Sequence, residues 1–254
     1  MVNSDQTWVN VTPNYLLDYG FLNFAKKWKV PKFVYGASYP LNFWLYSKEF
    51  NSIARNLLKN FSGISVREKS TVNLAKKYFG VLPEFVLDPT FLIDKKYYLD
   101  LIENYEGDFD FNEKYLCVYQ LDKRDQIKNF IKNSCTILNV TSYKVDISLK
   151  NYIESFIKCI NNSQAVITDS YHGTIFSIIF EKPFISFINH NRGNMRFTSL
   201  KETFQIKERI INPNGNINPN ISLLRNKFIV NKTLFYSMKR KSINFLMKNL
   251  KIKD

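Results

Sequence analysis

Short apolar runs alternate with stretches of helical spacing along most of this chain, and that alternation restricts the fold more than any other feature. A strand, a helix and a second strand in succession cannot close as a hairpin. The crossover makes the strands parallel and lays helices over the sheet. Lys32–Ala37, Gly63–Val66 and Glu84–Asp88 have strand composition, with Pro89 stopping the last. Ser47–Lys59 and Ser70–Tyr78 have helical spacing. Phe50, Ile53, Leu57 and Leu58 share a face of the first, and Gly80 is placed to close the second. Leu16–Lys29 is helix-like as well. Asn104–Lys114 is polar and reads as a linker, and its Asp108-Phe-Asp110 as a solvated acidic loop.

The alternation then resumes. Tyr115–Gln120, Thr136–Val140, Ala165–Thr168 and Pro183–Ile188 are predicted strands. Asp125–Asn133, Ile153–Ile160 and Thr174–Phe180 are predicted helices. Ile210–Ile221 holds two prolines and five asparagines and reads as a loop, and Ser222–Lys253 as mostly helical. The expected fold is α/β, with two Rossmann-like domains at residues 1–108 and 109–254 and a cleft between them.

Composition narrows the partners. Of 254 residues, 45% are apolar, which suits a filled core. The net charge of +14 favours anionic partners: phosphorylated small molecules, anionic membrane surfaces or polyanions. Lysine is spread nearly everywhere, which points away from a specific nucleic-acid surface. The three cysteines, Cys117, Cys135 and Cys159, match no metal or redox spacing and read as buried free thiols of a reducing cytoplasm. No apolar run approaches the roughly 18–20 residues that span a bilayer. The expected location is cytoplasmic, with peripheral contact at the inner membrane surface through the basic helix Lys239–Lys253. The usual reading of such a helix is that it packs Ile243, Phe245, Leu246 and Leu250 across the domains with its lysines in water.

The densest chemistry lies between the strand Ala165–Thr168 and the helix that follows. Thr168-Asp-Ser-Tyr-His-Gly173 brings three hydroxyls, a carboxylate and an imidazole into five positions. A loop there lies at the carboxyl end of a strand and the amino end of a helix, where α/β proteins hold anions. His172 is the candidate acid or base. Thr168, Asp169, Ser170, Gly173 and Thr174 are candidate substrate-binding residues, with Gly173 admitting close backbone approach. The local alternative is that Asp169 or Ser170 caps the helix.

This segment resembles the signature of the polysaccharide pyruvyl transferase family, and further segments agree in order. Asn3-Ser-Asp-Gln-Thr-Trp8 resembles its G-S-D-Q-x-W, and Tyr35-Gly-Ala-Ser38 its next strand end. Ile64-Ser-Val-Arg-Glu-Lys-Ser70 resembles its S-V-R-E, and Leu87-Asp-Pro-Thr90 its L-D-P-T. The resemblance covers most of residues 1–200. It implies a two-domain fold similar to the GT-B glycosyltransferases. Relatives carry a first strand and a glycine-rich loop ahead of the S-D-Q segment, so the first domain is expected to be incomplete. The implied reaction moves a pyruvyl group from phosphoenolpyruvate, a small anionic donor, to a sugar of a cell-surface or lipid-linked glycan, with no cofactor and no metal. His172 matches the family's acid/base histidine. Relatives that read S-x-R-x-H carry a donor-binding arginine two residues before it, where this chain has Ser170 and shares the T-D-S-[FY]-H-G variant.

A serine cannot supply a bidentate cationic fork, so other arginines become candidates. Arg196 is the leading replacement, with Arg192 beside it in the segment after Pro183–Ile188. His190, in the same segment, is a weaker candidate than His172. Arg67, after Gly63–Val66, reads either as an anion ligand or as a surface salt bridge to Glu68 or Asp88. Ser4, Asp5 and Gln6, with Trp8, form a polar-aromatic cluster that reads as an acceptor contact or as a cap beside a packed tryptophan. Two other classes stay open: a sugar-nucleotide glycosyltransferase of GT-B type, and a non-catalytic anion-binding relative.

Overall fold

The computed structural model describes residues 1, 6–9, 12–103, 105, 113–145, 151–214 and 219–251. Ser4, Asp5, Asp108 and Asp110 lie outside them. The described residues form two compact units, each Rossmann-like α/β with a parallel sheet. The units do not follow a single cut at residue 108. Unit 1 comprises Met1–Leu92, Asn191–Ser199 and Lys232–Asp254; unit 2 comprises Ile93–His190 and Leu200–Asn231.

Unit 1 opens with a short helix α1 (Pro13–Tyr15), a π-turn at Leu16–Gly20 and a 3-10 turn at Asn23–Ala25, in place of the continuous helix expected over Leu16–Lys29. Strands β1 (Phe33–Ala37), β2 (Gly63–Val66) and β3 (Glu84–Phe85) then pair in that order, all parallel. Helices α2 (Lys48–Leu58) and α3 (Lys69–Phe79) alternate with them. Ser47 caps α2, its Oγ accepting from Phe50 N at 3.2 Å, and Gly80 closes α3 with φ +69°. On α2 the buried face is Phe50, Ala54, Leu57 and Leu58, whereas Ile53 is exposed. The spacing i, i+4, i+7, i+8 selects alanine over the larger residue because Ala54 lies flat against the core.

Every residue of β1 is buried, so both faces of this sheet are covered. One cluster gathers Trp8, Phe21, Val34, Ala54, Leu58 and Phe79; another gathers Phe33, Tyr35 and Val86 against Phe245. Phe245 comes from the terminal basic helix, which covers unit 1.

Unit 2 holds α4 (Lys95–Glu103) and a five-stranded parallel sheet in the order β5-β4-β6-β7-β8. Its strands are β4 (Tyr115–Tyr119), β5 (Thr141–Lys144), β6 (Ala165–Thr168), β7 (Phe184–Phe187) and β8 (Ile210–Ile211). Helices α5 (Asp125–Leu138), α6 (Tyr152–Asn162) and α7 (Tyr171–Ile179) connect them. The strand expected at Thr136–Val140 is instead the last turn of α5. Asn139, in the left-handed region at φ +53°, closes that helix, and the strand begins at Thr141. The predicted loop at Ile210–Ile221 contains the short edge strand β8. Cys117 and Cys159 are buried free thiols with sulfurs 2.9 Å apart, and Cys135 is half-buried.

Helix α8 (Met195–Thr203) begins in the segment that unit 1 claims, and α9 (Lys232–Leu250) is its terminal helix. The buried face of α9 is Ser242, Phe245 and Asn249, with Leu246 packed beside Phe245. Leu250 is exposed. Polar atoms make this seam. Ser242 Oγ accepts from Leu87 N at 2.9 Å and donates to Met238 O at 2.8 Å. Asn249 Oδ1 accepts from Ser62 Oγ at 2.9 Å. A Cβ on Gly63 would sit 2.3 Å from that Asn249 oxygen, so the glycine is what allows the approach.

Candidate active site

Strand β6 ends at Thr168 and α7 begins at Tyr171, leaving only Asp169 and Ser170 between them. The helix starts three residues earlier than the apolar pattern predicts, because Ser170 caps it. Ser170 Oγ accepts from Gly173 N at 3.3 Å, and its carbonyl accepts from Thr174 N at 3.0 Å. His172 therefore sits in the first helical turn, not in a loop. Of Thr168–Thr174, it is the one residue that is not buried. Its ring meets the Tyr171 ring edge-on, with centroids 5.4 Å apart.

The remaining side chains of the segment hold this edge together. Thr168 Oγ1 donates to Tyr119 O at 2.6 Å and accepts from Ser170 N at 3.0 Å. Thr174 Oγ1 donates to Ser170 O at 3.0 Å and lies 2.6 Å from Ser186 Oγ on β7. A Cβ on Gly173 would come within 2.4 Å of Thr168 Oγ1. Crowding between the helix turn and the strand end accounts for this glycine.

Asp169 joins three connections. Its carboxylate accepts from Leu121 N at 2.6 Å, Asp122 N at 3.1 Å and Asn189 Nδ2 at 3.2 Å. Asn189 Nδ2 also donates to Asp122 Oδ2 at 2.8 Å. Burial pushes the Asp169 pKa up, and the two backbone N–H groups pull against that rise. Asn189 escaped the reading of the sequence. The available signal was positional: it follows β7 as Asp169 follows β6. His190 Nε2 lies 2.9 Å from Asn212 Oδ1.

The carboxyl edge of the unit 1 sheet is built from charge. Arg67 follows β2, and its Nη1 pairs with Asp88 Oδ2 at 2.5 Å while Nε lies 3.4 Å from Glu68 Oε1. The expected partners are both present, but the pair is buried, not on the surface. Glu68, expected only as a surface partner of Arg67, has no exposed area. It accepts from Ser38 Oγ at 2.6 Å, Tyr39 N at 3.1 Å and Thr71 Oγ1 at 3.3 Å. Burial raises its pKa, against the opposing fields of Arg67 and, more weakly, Arg196.

Arg192 and Arg196, expected with His172 in the second domain, belong to unit 1. Their segment is fixed there by Met195 N donating to Pro40 O at 3.1 Å and Lys69 N donating to Ser199 Oγ at 3.0 Å. Gly193 has φ +91°, and a Cβ on it would strike Pro40 at 2.3 Å. Arg196 is buried and its Nη2 donates to Arg192 O at 2.5 Å, whereas Arg192 is exposed. Gln6 is partly exposed in a turn whose carbonyl accepts from Val9 N at 3.0 Å. Trp8 is a core residue, stacked on Phe21 at 5.5 Å.

Residues 3–191 match the sequence model of the polysaccharide pyruvyl transferase family. The chain belongs to the polysaccharide pyruvyl transferase family. It is thus a member of a transferase family associated with polysaccharides. The matched span contains Arg67, Glu68 and the whole Thr168–Thr174 segment, and it stops one residue short of Arg192. The curated proteins and the solved structures yield no match. Among the described residues no cluster of His, Cys, Asp or Glu is arranged to hold a metal ion, and no helix is long and apolar enough to cross a membrane.

Proposed function

We propose that this pyruvyl transferase family member moves a pyruvyl group from phosphoenolpyruvate to a pair of hydroxyls on a glycan sugar, with His172 as the acid/base. In that reaction the methylene carbon of the enol accepts a proton and becomes a methyl group. Positive charge develops at C2, two sugar hydroxyls add there in turn, and the C2–O bond to phosphate breaks. One hydroxyl proton replaces the one given to carbon, and the other leaves with the phosphate. The enzyme must supply a proton donor, a base and electropositive groups for carboxylate and phosphate.

The observation that carries this reading is the solvent-reaching His172 in a family-matched segment whose other residues are buried. Its imidazole is set in the first turn of a nine-residue helix. The positive end of that helix favours an anion by about 0.3–1 kcal/mol at exposed sites and more when water is excluded. Ser170, where S-x-R-x-H relatives carry arginine, spends its hydroxyl on the cap. In this reading the helix end supplies part of the charge such an arginine would bring.

The test is phosphate release from phosphoenolpyruvate in the presence of candidate glycan acceptors, with mass spectrometry of the glycan. His172→Ala should lower the rate about 10²–10⁴-fold. Turnover of a sugar nucleotide, with phosphoenolpyruvate untouched, would replace this reading with glycosyl transfer.

A further inference from the structure

We propose that a row of exposed aromatic rings in unit 1, Tyr15, Tyr19, Phe24 and Trp28, docks this chain on an anionic bilayer surface. The arm that carries the row has two apolar faces. Leu16, Leu17 and Phe21 pack inward with Trp8 in the unit 1 core. On the other face Tyr15, Tyr19, Phe24 and Trp28 are 53%, 58%, 53% and 58% exposed. The rings form one continuous strip, with successive centroids 4.5, 6.0 and 5.5 Å apart. A helical segment that is apolar on both faces needs a partner on its outer side.

The charges beside the strip identify that partner. Lys26, Lys27 and Lys29 are exposed next to Phe24 and Trp28. The one acid between Thr12 and Lys32 is Asp18, whose carboxylate accepts from Asn23 Nδ2 at 2.8 Å. Aromatic rings with a polar edge settle at the headgroup level of a bilayer. Neighbouring lysines reach the anionic headgroups, each worth roughly five-fold in binding. An interface with a second copy would be depleted of lysine. A platform for nucleic-acid bases needs flat, open ring faces. Here the rings are tilted or edge-on, at 38°, 46° and 83° to one another. The basic helix α9 lacks such a strip: of its aromatics Phe235, Tyr236 and Phe245, only Tyr236, at 60%, is exposed. The proposal makes no use of the transfer chemistry and stands or falls apart from it.

The experiment is flotation of the full chain with phosphatidylcholine vesicles, with and without phosphatidylglycerol, read together with tryptophan quenching by bromine-labelled lipid. Trp28 is the exposed tryptophan, Trp8 being buried and Trp44 half-buried, so quenching reports on the strip. We expect binding to phosphatidylglycerol vesicles with quenching. Binding should fall at least ten-fold in both Tyr19→Ser/Trp28→Ser and Lys26→Glu/Lys27→Glu/Lys29→Glu, while Lys241→Glu/Lys248→Glu on α9 binds as the parent does. These substitutions are at exposed positions, and circular dichroism checks the fold. Three results would overturn the proposal. One is no binding. Another is binding without quenching, which would mark a diffuse charge effect. The third is self-association that requires Trp28, which would give the strip to a second copy.

Discussion

The carboxyl edges of the two sheets are made from the same topology and opposite chemistry. In unit 1 the residues after β1, β2 and β3 include Ser38, Arg67, Glu68 and Asp88, and the edge is a buried ionic network. In unit 2 the residues after β6 and β7 include Asp169, Ser170 and Asn189, and the edge is mostly hydroxyl, amide and backbone N–H. The contrast lies in what reaches the surface. The ionic edge consumes its charged groups on one another. The hydrogen-bonded edge ties Asp169, Ser170 and Asn189 into local contacts, and His172 beside them is partly exposed. A parallel sheet places polar residues at this edge in both cases, but how they are satisfied decides which side chain can meet a substrate.

The sharpest way to break the contrast is to open the ionic edge. Asp88→Ala removes the partner of Arg67 Nη1 from a buried guanidinium whose Nε lies 3.4 Å from Glu68 Oε1. Removing one member of a buried pair costs about 3–5 kcal/mol. Urea unfolding should report that loss, with the midpoint lowered and the slope unchanged. A loss below about 1 kcal/mol would show that this edge behaves like an exposed salt bridge, and the contrast between the sheets would vanish.

What was legible in the sequence follows the same division. The strands β1, β4 and β6 are nearly unbroken apolar runs, and such runs identify themselves because both faces of a parallel sheet are buried. The family signature and His172 were legible because their residues are adjacent in sequence. Other features were not. Strand-like Thr136–Val140 continues a helix because the stop signal was Asn139 in the left-handed region, and asparagine is a weaker sign than glycine. The side of α9 that packs is Ser242, Phe245 and Asn249, and polar residues on a seam defeat hydrophobic periodicity. The Arg67–Asp88 and Asp169–Asn189 contacts join residues some twenty positions apart. No local pattern distinguishes such a buried pair from a solvated one.

A smaller change sharpens the other edge. In Gly173→Ala the new methyl would lie 2.4 Å from Thr168 Oγ1, the hydroxyl that donates to Tyr119 O and accepts from Ser170 N. Helix α7 must then move off the strand end or Thr168 must turn away. Overpacking of this kind costs about 1–3 kcal/mol. The helix propensity gained from alanine offsets at most about 1 kcal/mol of that. Thermal unfolding should show a net loss. A stabilised variant would mean that the glycine is not required by the approach of helix to strand.

The smallest expected effect separates capping from chemistry. Ser170→Ala deletes the oxygen that accepts from Gly173 N, and a lost cap costs about 1 kcal/mol. Stability should fall by that amount. Ser170→Thr keeps an oxygen at the same position and should restore most of it. If the hydroxyl serves only as a cap, the alanine variant should keep the pH profile of the transfer reaction, because His172 remains in the first turn of the helix. A change in the profile that the threonine variant reverses would assign the Ser170 hydroxyl to the reaction as well. The hydrogen-bonded edge would then offer the Ser170 hydroxyl to the proposed reaction beside His172.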